Sequence, residues 1–181
     1  MILIGLGANL PTVHGGPRAT LEAALALMPA FGISVMRHSS YYRTPALTPY
    51  VQPYFVNSVA VVETALPAPA LLEALHRIEG LFGRHRVARW AARTLDLDLL
   101  DYHGQIVHAA GPRGLEAGAG KLPLALPHPG IADRAFVLVP LAEVAPGWRH
   151  PVSGEGPRQL LQRLDAAQGG QARAGIRRIG L

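Results

Sequence analysis

Five residues near the middle of the chain, Leu95-Asp96-Leu97-Asp98-Leu99, alternate apolar and acidic side chains. Read as a strand, the run sends its leucines into a core and both carboxylates to the opposite face, because successive side chains point to opposite sides. Asp96 and Asp98 then lie roughly 7 Å apart along that face. Neighbouring carboxylates repel, so joint ionisation is disfavoured unless a cation sits between or beside them. Magnesium takes hard oxygen ligands, commonly one or two carboxylates plus substrate phosphates. The pair therefore suits one or two Mg²⁺ ions on a nucleotide. A solvated strand face with two ordinary acids is the plainer alternative, set against the depletion of Asp in strands.

The rest of the chain supplies partners for such a strand. Residues 2–7 read as a buried strand, and 8–16 as a loop. From Pro17 a helix follows, with Leu21, Ala24, Leu25 and Met28 on one stripe, until Pro29 and Gly32 stop it. Residues 33–43 read as one strand, and Thr44 to Pro53 as a proline-rich loop. Phe55 to Glu63, rich in valine, form a strand. Pro67 and Pro69 open a helix to about Phe82, with Leu71, Leu75, Ile78 and Phe82 facing inward. The acidic strand runs from Thr94 to Tyr102, and 103–130 read as loops around one short strand. Ala132 to Val144 read as a helix kinked or broken at Pro140, and 157–166 as a short last helix. The tail after Gly169 is expected to be loose. The order βαββαβ predicts one α+β domain over residues 1–181, with a mostly antiparallel sheet and helices packed on it.

Composition narrows the function. Hydrophobic residues at 49% and charged residues at 16% describe a globular chain, and 181 residues suit one domain with a real core. With no cysteine there is neither a disulfide framework nor a thiolate zinc site, which fits a reducing cytoplasm. The apolar start, Met1 to Gly7, is too short for a signal peptide, and no window approaches a membrane span. Of 17 basic side chains only Lys121 is a lysine, so the cations are nearly all planar forks that match phosphate oxygens. A nucleic-acid surface, a polyphosphate ligand and a plain arginine bias all remain open on charge alone.

Three further segments could carry chemistry. Arg84, Arg86, Arg89 and Arg93, with His85 and Trp90 among them, lead straight into the acidic strand. A basic loop beside a metal cradle neutralises the phosphate charge that the metal does not; alone it also reads as a solvated loop. Phe55 and Asn57 share a strand face with Val59 and Val61, and a ring beside an amide suits a flat heterocycle; alone, Phe55 also reads as core. Pro127-His128-Pro129, followed by Arg134 and Phe136, holds a histidine in extended backbone, open to metal, phosphate or packing. Gly5-Leu6-Gly7-Ala8-Asn9-Leu10 lacks the third glycine of a dinucleotide fingerprint, and Gly118-Ala119-Gly120-Lys121 lacks the outer residues of a Walker loop.

Taken together, the segments resemble one family. Gly7-Ala8-Asn9-Leu10, Tyr42-Arg43-Thr44-Pro45, Gln52-Pro53 with Phe55-Val56-Asn57, Gly83-Arg84, Arg89-Trp90 and Arg93-Thr94-Leu95-Asp96-Leu97-Asp98 stand in the order of the 6-hydroxymethyl-7,8-dihydropterin pyrophosphokinases. Leu126-Pro127-His128-Pro129, Arg134 with Phe136, and Pro140-Leu141-Ala142-Glu143 continue the match, which spans residues 2 to 151.

The resemblance implies a ferredoxin-like α+β fold with helices on both sides of the sheet. It implies transfer of the β,γ-diphosphate of ATP to the pterin hydroxymethyl group, leaving AMP, by a cytoplasmic monomer with no nucleic-acid or membrane partner. Asp96 and Asp98 would hold two Mg²⁺ ions. Phe55 and Phe136 would sandwich the pterin, with Asn57 and the Thr44, Pro45 and Leu47 segment on its polar edge. Arg84 and Arg93 would contact ATP phosphates and act in catalysis, with Trp90 closing over the site. His128, Arg134, His76 and Glu79 would face the nucleotide. The sequence departs from the family pattern at Ala46, Tyr54 and Ala91-Ala92, and in a longer, Gly-rich 109–121 stretch. The competing readings are a pterin-modifying paralogue and a basic RNA-binding module; the acidic motif face opposes the latter.

Overall fold

The computed structural model describes residues 1–46, 51–84, 92–108 and 123–180. Its strands are β1 (Ile2–Ala8), β2 (Ser34–His38), β3 (Tyr42–Thr44), β4 (Phe55–Glu63), β5 (Asp96–Tyr102) and β6 (Arg177–Arg178). Its α-helices are α1 (Pro17–Leu27), α2 (Ala68–Leu81), α3 (Ala135–Val144) and α4 (Pro157–Ala167), and a 3₁₀ turn, Met28–Phe31, follows α1. The strands form one sheet in the order β5-β1-β4-β3-β6, with β2 also on β4, and every pairing is antiparallel. This is the expected ferredoxin-like arrangement, extended at its C-terminal end.

Each sheet face buries its own core. One contains Ile4, Leu6, Leu97 and Leu99 from the sheet with Leu21 and Leu25 of α1 and Leu71, Leu75 and Ile78 of α2. The other contains Leu3, Val59, Val61 and Leu100 with Val137, Leu138 and Leu141 of α3 and Leu160 and Leu161 of α4. The proline and apolar spacing that predict α1 and α2 act as expected: Pro17 and Pro69 sit in the first turns, where a missing N–H costs no helical bond. Gly32 takes the left-handed conformation (φ 73°) that ends the first helical segment.

Five sequence expectations change. Residues 33–43 form two strands, because the Ser39 hydroxyl enters the ladder: it accepts the Val59 N–H at 3.1 Å and lies 3.0 Å from the Ser58 hydroxyl. The acidic strand begins at Asp96, two residues later than expected, and α3 at Ala135 rather than Ala132. That helix runs unbroken through Pro140, held by burial of Leu138, Leu141 and Val144. The tail is not loose. Arg177 and Arg178 pair with Arg43 and Tyr42, the Ile179 N–H reaches the Tyr41 carbonyl at 2.8 Å, and Arg18 Nη1 donates to the Gly180 carbonyl at 2.9 Å.

Since β6 covers the outer edge of β3, deleting residues 170–181 should cost about 1–3 kcal/mol of stability. A urea titration checks this; an unchanged midpoint would show that the tail contributes nothing to the sheet.

Candidate active site

The site follows from how the second sheet face is divided along its length. Register places Asp96 opposite Gly7 and Asp98 opposite Gly5, and those glycines opposite Asn57 and Val59. Tyr42 and Thr44 continue the rows opposite Asn57 and Phe55. One end of the face is therefore apolar beneath α3 and α4. The other carries Asp96, Asp98, Asn57, Phe55 and Thr44 around two residues with no side chain.

Gly7 has a steric reason to be glycine. A Cβ there would stand 2.8 Å from Asn57 Oδ1. Asn57 cannot easily withdraw, because it is buried and its Nδ2 donates to Thr44 Oγ1 at 2.7 Å. The bare floor thus lets an amide lie across β1 toward the carboxylates.

Asp96 is enclosed by cations. Arg93 Nη1 donates to Asp96 Oδ2, and Arg84 Nη1 lies 2.7 Å from Asp96 Oδ1, which is buried and takes no aligned hydrogen bond. Arg84 is itself held by Glu79, whose side chain is only 2% exposed. Glu79 Oε1 also accepts the Leu97 N–H at 2.7 Å. A helix carboxylate therefore fixes both a site arginine and the strand that carries the acids. Glu79 thus reaches the site through Arg84.

Asp98 faces other groups. His128 Nε2 and Arg134 Nη1 each lie 3.9 Å from Asp98 Oδ2. The His128 loop docks on β5 through the His128 N–H to the Leu100 carbonyl at 2.8 Å, and Arg134 lies over the Phe136 ring with Cζ 5.9 Å from its centroid. Burial raises the Asp98 carboxyl above its ordinary range and Asp96 adds to this, while His128, Arg134 and Arg93 oppose it. Burial lowers the His128 imidazole below its usual value, against the pull of Asp98. The Asp98 shift describes a place where an ionised carboxylate needs a counter-cation.

The donor set fits Mg²⁺. Two carboxylates share one face, an oxygen of Asp96 lacks an aligned donor, and among the described residues no group of three or more acidic, histidine or cysteine side chains gathers to make an all-protein cage. A hard cation held by two acids and completed by phosphate oxygens and water matches that set.

The structure brings together Asp96, Asp98, Arg84, Arg93, His128, Arg134 and Phe136 at the acidic end, and Thr44, Phe55 and Asn57 beside them. Pro45 follows Thr44 and meets the tail, where a Cβ on Gly175 would stand 3.3 Å from its ring. His76 lies on α2 one turn before Glu79. Leu47 and Trp90 lie outside the described residues, as do His85, Arg86, Arg89 and the 109–121 stretch.

Asn9 is a site residue with no role in the sequence reading. Only 2% exposed, it accepts the Arg93 N–H at 2.7 Å and donates to Gln52 Oε1 at 3.1 Å. Its own N–H donates to the Arg93 carbonyl at 3.0 Å. It ties the backbone at Arg93 to the segment preceding Phe55. Its place in the Gly7-Ala8-Asn9-Leu10 motif was the only signal.

Gly7→Ala should displace the Asn57 amide and weaken heterocycle binding about tenfold or more, with a smaller effect on nucleotide affinity. Calorimetric titration with each ligand checks this; unchanged heterocycle affinity would show that Asn57 does not need the bare floor.

A family model described as 7,8-dihydro-6-hydroxymethylpterin-pyrophosphokinase (HPPK) matches residues 3–146. A 2-amino-4-hydroxy-6-hydroxymethyldihydropteridine pyrophosphokinase of Synechocystis sp. is 42% identical over 164 residues, 90% of this chain and 75% of the relative. One from Methylorubrum extorquens is 37% identical over 163 residues, 90% of this chain and 92% of the relative. One from Pseudomonas aeruginosa is 39% identical over 159 residues, 88% and 89% of the two chains. Among solved structures, wild-type Plasmodium falciparum HPPK-DHPS superposes with a TM-score of 0.72 at 15% identity, over 99% of this chain and 46% of that one. At that identity the likeness concerns the fold alone, and this chain spans less than half of the Plasmodium one.

Proposed function

The chain belongs to the 7,8-dihydro-6-hydroxymethylpterin-pyrophosphokinase family, and from that premise we propose how its residues divide the work. The enzyme transfers the β,γ-diphosphate of ATP to 6-hydroxymethyl-7,8-dihydropterin in folate biosynthesis. The pterin hydroxyl oxygen bonds to the β-phosphorus, the bond from that phosphorus to the α–β bridging oxygen breaks, and AMP leaves. The hydroxyl proton is lost to solvent. Such a transfer needs alignment and charge neutralisation more than a covalent intermediate.

The observation that carries the assignment is the shared face: Asp96 and Asp98 stand across Gly7 and Gly5 from Asn57 and Val59. The Asn57 and Thr44 side chains meet the polar edge of the pterin, and the family resemblance adds Pro45 and Leu47 to that role. Phe55 and Phe136 cover its two faces, since aromatic rings stack on a flat heterocycle without fixing its polar edge. The amino group, ring nitrogens and carbonyl of the pterin then find donors and acceptors at one side, which sets its hydroxymethyl group toward the acids.

Asp96 and Asp98 would hold two Mg²⁺ ions. Such ions, when bound, neutralise phosphate charge and lower the pKa of the attacking hydroxyl. Arg84 and Arg93 supply the remaining positive charge: their guanidiniums already lie on Asp96 and can share their forks with phosphate oxygens. Glu79 orients Arg84, and Asn9 orients Arg93. His128, Arg134, His76 and Trp90 complete the nucleotide side. No protein general base is needed if the metal activates the hydroxyl.

We further propose that residues 1–181 act as one domain, as a monomer in the cytoplasm, without nucleic-acid partners. Every residue in this scheme comes from one chain, and the lack of cysteine suits a reducing compartment. Among the described residues no helix is long and apolar enough to cross a membrane.

Phe136→Ala should weaken pterin binding about tenfold or more while ATP affinity stays within about twofold. Separate calorimetric titrations check the split, and equal losses for the two ligands would remove Phe136 from the pterin site.

A further inference from the structure

Among the described residues the Glu143 carboxylate gathers a backbone donor and two hydroxyl donors, yet it has no contact with Asp96, Asp98, Arg84 or Arg93. Its two oxygens accept the Ser40 N–H at 3.1 and 3.2 Å. The Ser40 hydroxyl and the Tyr42 hydroxyl each donate to it at 2.8 Å. Arg178 of β6 stands 3.9 Å away. All of these donors come from the β2–β3 corner or from the tail strand beside it, whereas Glu143 belongs to α3.

We propose that Glu143 is a positioning residue for the pterin: it clips the β2–β3 corner to α3 and so sets the gap between Phe136 and the Thr44–Asn57 pair. This rests on the reading of Phe136, Thr44 and Asn57 as pterin contacts. Phe136 and Glu143 both lie within α3, seven residues apart, which is two turns and returns to the same face. The helix therefore carries the ring at one end of that face and the clip at the other.

The sheet side is continuous in the same way. Tyr42, which the carboxylate holds, pairs with Asn57, and Thr44 pairs with Phe55. Thr44 Oγ1 in turn accepts the Asn57 amide at 2.7 Å. A shift of Tyr42 relative to α3 would move Thr44 with it, because the two belong to one three-residue strand. Both sides of the pterin slot are thereby referred to a single carboxylate.

The chemistry suits a permanent clip. Burial would raise the Glu143 acid, but hydrogen bonds from Ser40 and Tyr42 and the charge of Arg178 hold it below the ordinary carboxylate range. Burial and the bond to Glu143 push the Tyr42 phenol up to about 12, so it remains a donor at neutral pH. Hydrogen bonds to an ionised acceptor are stronger than neutral ones. Glu143→Gln keeps the size but loses the charge and one acceptor oxygen; Tyr42→Phe and Ser40→Ala each remove one donor.

The test measures Kd for 6-hydroxymethylpterin and for MgATP by calorimetry, KM and kcat by AMP release, and the melting temperature of each variant. Glu143→Gln should weaken pterin binding about tenfold and Tyr42→Phe about threefold, with MgATP within about twofold. The pterin KM should rise with kcat largely kept. A purely structural role would lower the melting temperature and leave the pterin Kd unmoved, or weaken both ligands alike, and either result overturns the proposal. If Glu143→Gln does not fold, Tyr42→Phe and Ser40→Ala carry the same comparison. Phe136→Ala run in parallel separates the two failures. If it weakens pterin binding and the clip variants do not, the clip alone is wrong; if none of them does, the pterin site itself is misplaced and the proposal falls with it.

Discussion

The buried carboxylate of Glu79 is the constraint on which the rest of the site depends. It sits on α2 with almost no access to water, and its partners include the Leu97 N–H and the Arg84 guanidinium. A buried charge without partners is strongly unfavourable, so these contacts must form together. Their formation sets α2 against β5 at one height. At that height Leu97 enters the α1–α2 core, and its neighbours Asp96 and Asp98 face the opposite side. Arg84 is then delivered to Asp96 from the α2 side, while Arg93 reaches it from the strand's own N-terminal end. The result is an alternating row of charges, Glu79, Arg84, Asp96 and Arg93, that begins buried and ends at the surface. In the proposed diphosphate transfer, cations already beside the acids would be electrostatic preorganisation of the kind that stabilises a charged transition state.

A second constraint is geometric. The sheet face that carries the acids must also pack α3 and α4, and it does both by changing character along β1. Leu3 joins the core, whereas Gly5 and Gly7 carry no side chain and make room for Leu100 and the Asn57 amide. The β-bulge between Leu3 and Ile4 on the β5 side keeps Leu100 and Asp101 serving the core while Asp96 and Asp98 serve the site. Asp101 shows the difference in use: it is buried and accepts the Trp148 indole N–H at 3.3 Å, a packing role for an acid of the same strand.

Much of this was legible in the sequence because it depends on period. The two-residue alternation in Leu95 to Leu99 orients the acids, and the same rule puts Phe55 and Asn57 on one face. Helical spacing in α1 and α2 gave their buried stripes. What escaped depends on contacts across long separations. Nothing around Asn9 announces that its amide would join Arg93 to Gln52. Glu79 enters through the family resemblance as a residue facing the nucleotide, but no sequence pattern shows that it accepts the Leu97 N–H on the strand's outer edge. The β2–β3 break was hidden because Ser39 replaces a ladder bond with its hydroxyl, which no propensity records. The β6 pairing was hidden because Arg177 and Arg178 carry no apolar alternation and gain their place only from the exposed edge of β3. Leu47 and Trp90 entered through the family resemblance and lie outside the described residues.

The central claim is that Asp96 and Asp98 are the metal-holding pair of a diphosphate transfer, not two acids that merely pack beside arginines. It is tested most directly by AMP formation from ATP, Mg²⁺ and 6-hydroxymethyl-7,8-dihydropterin with Asp96→Ala and Asp98→Ala, alongside the melting temperature of each. The account predicts a fall in kcat of about 10³-fold or more for both, with folding retained. A folded variant of either kind that turns over within about tenfold of the unaltered enzyme would contradict it.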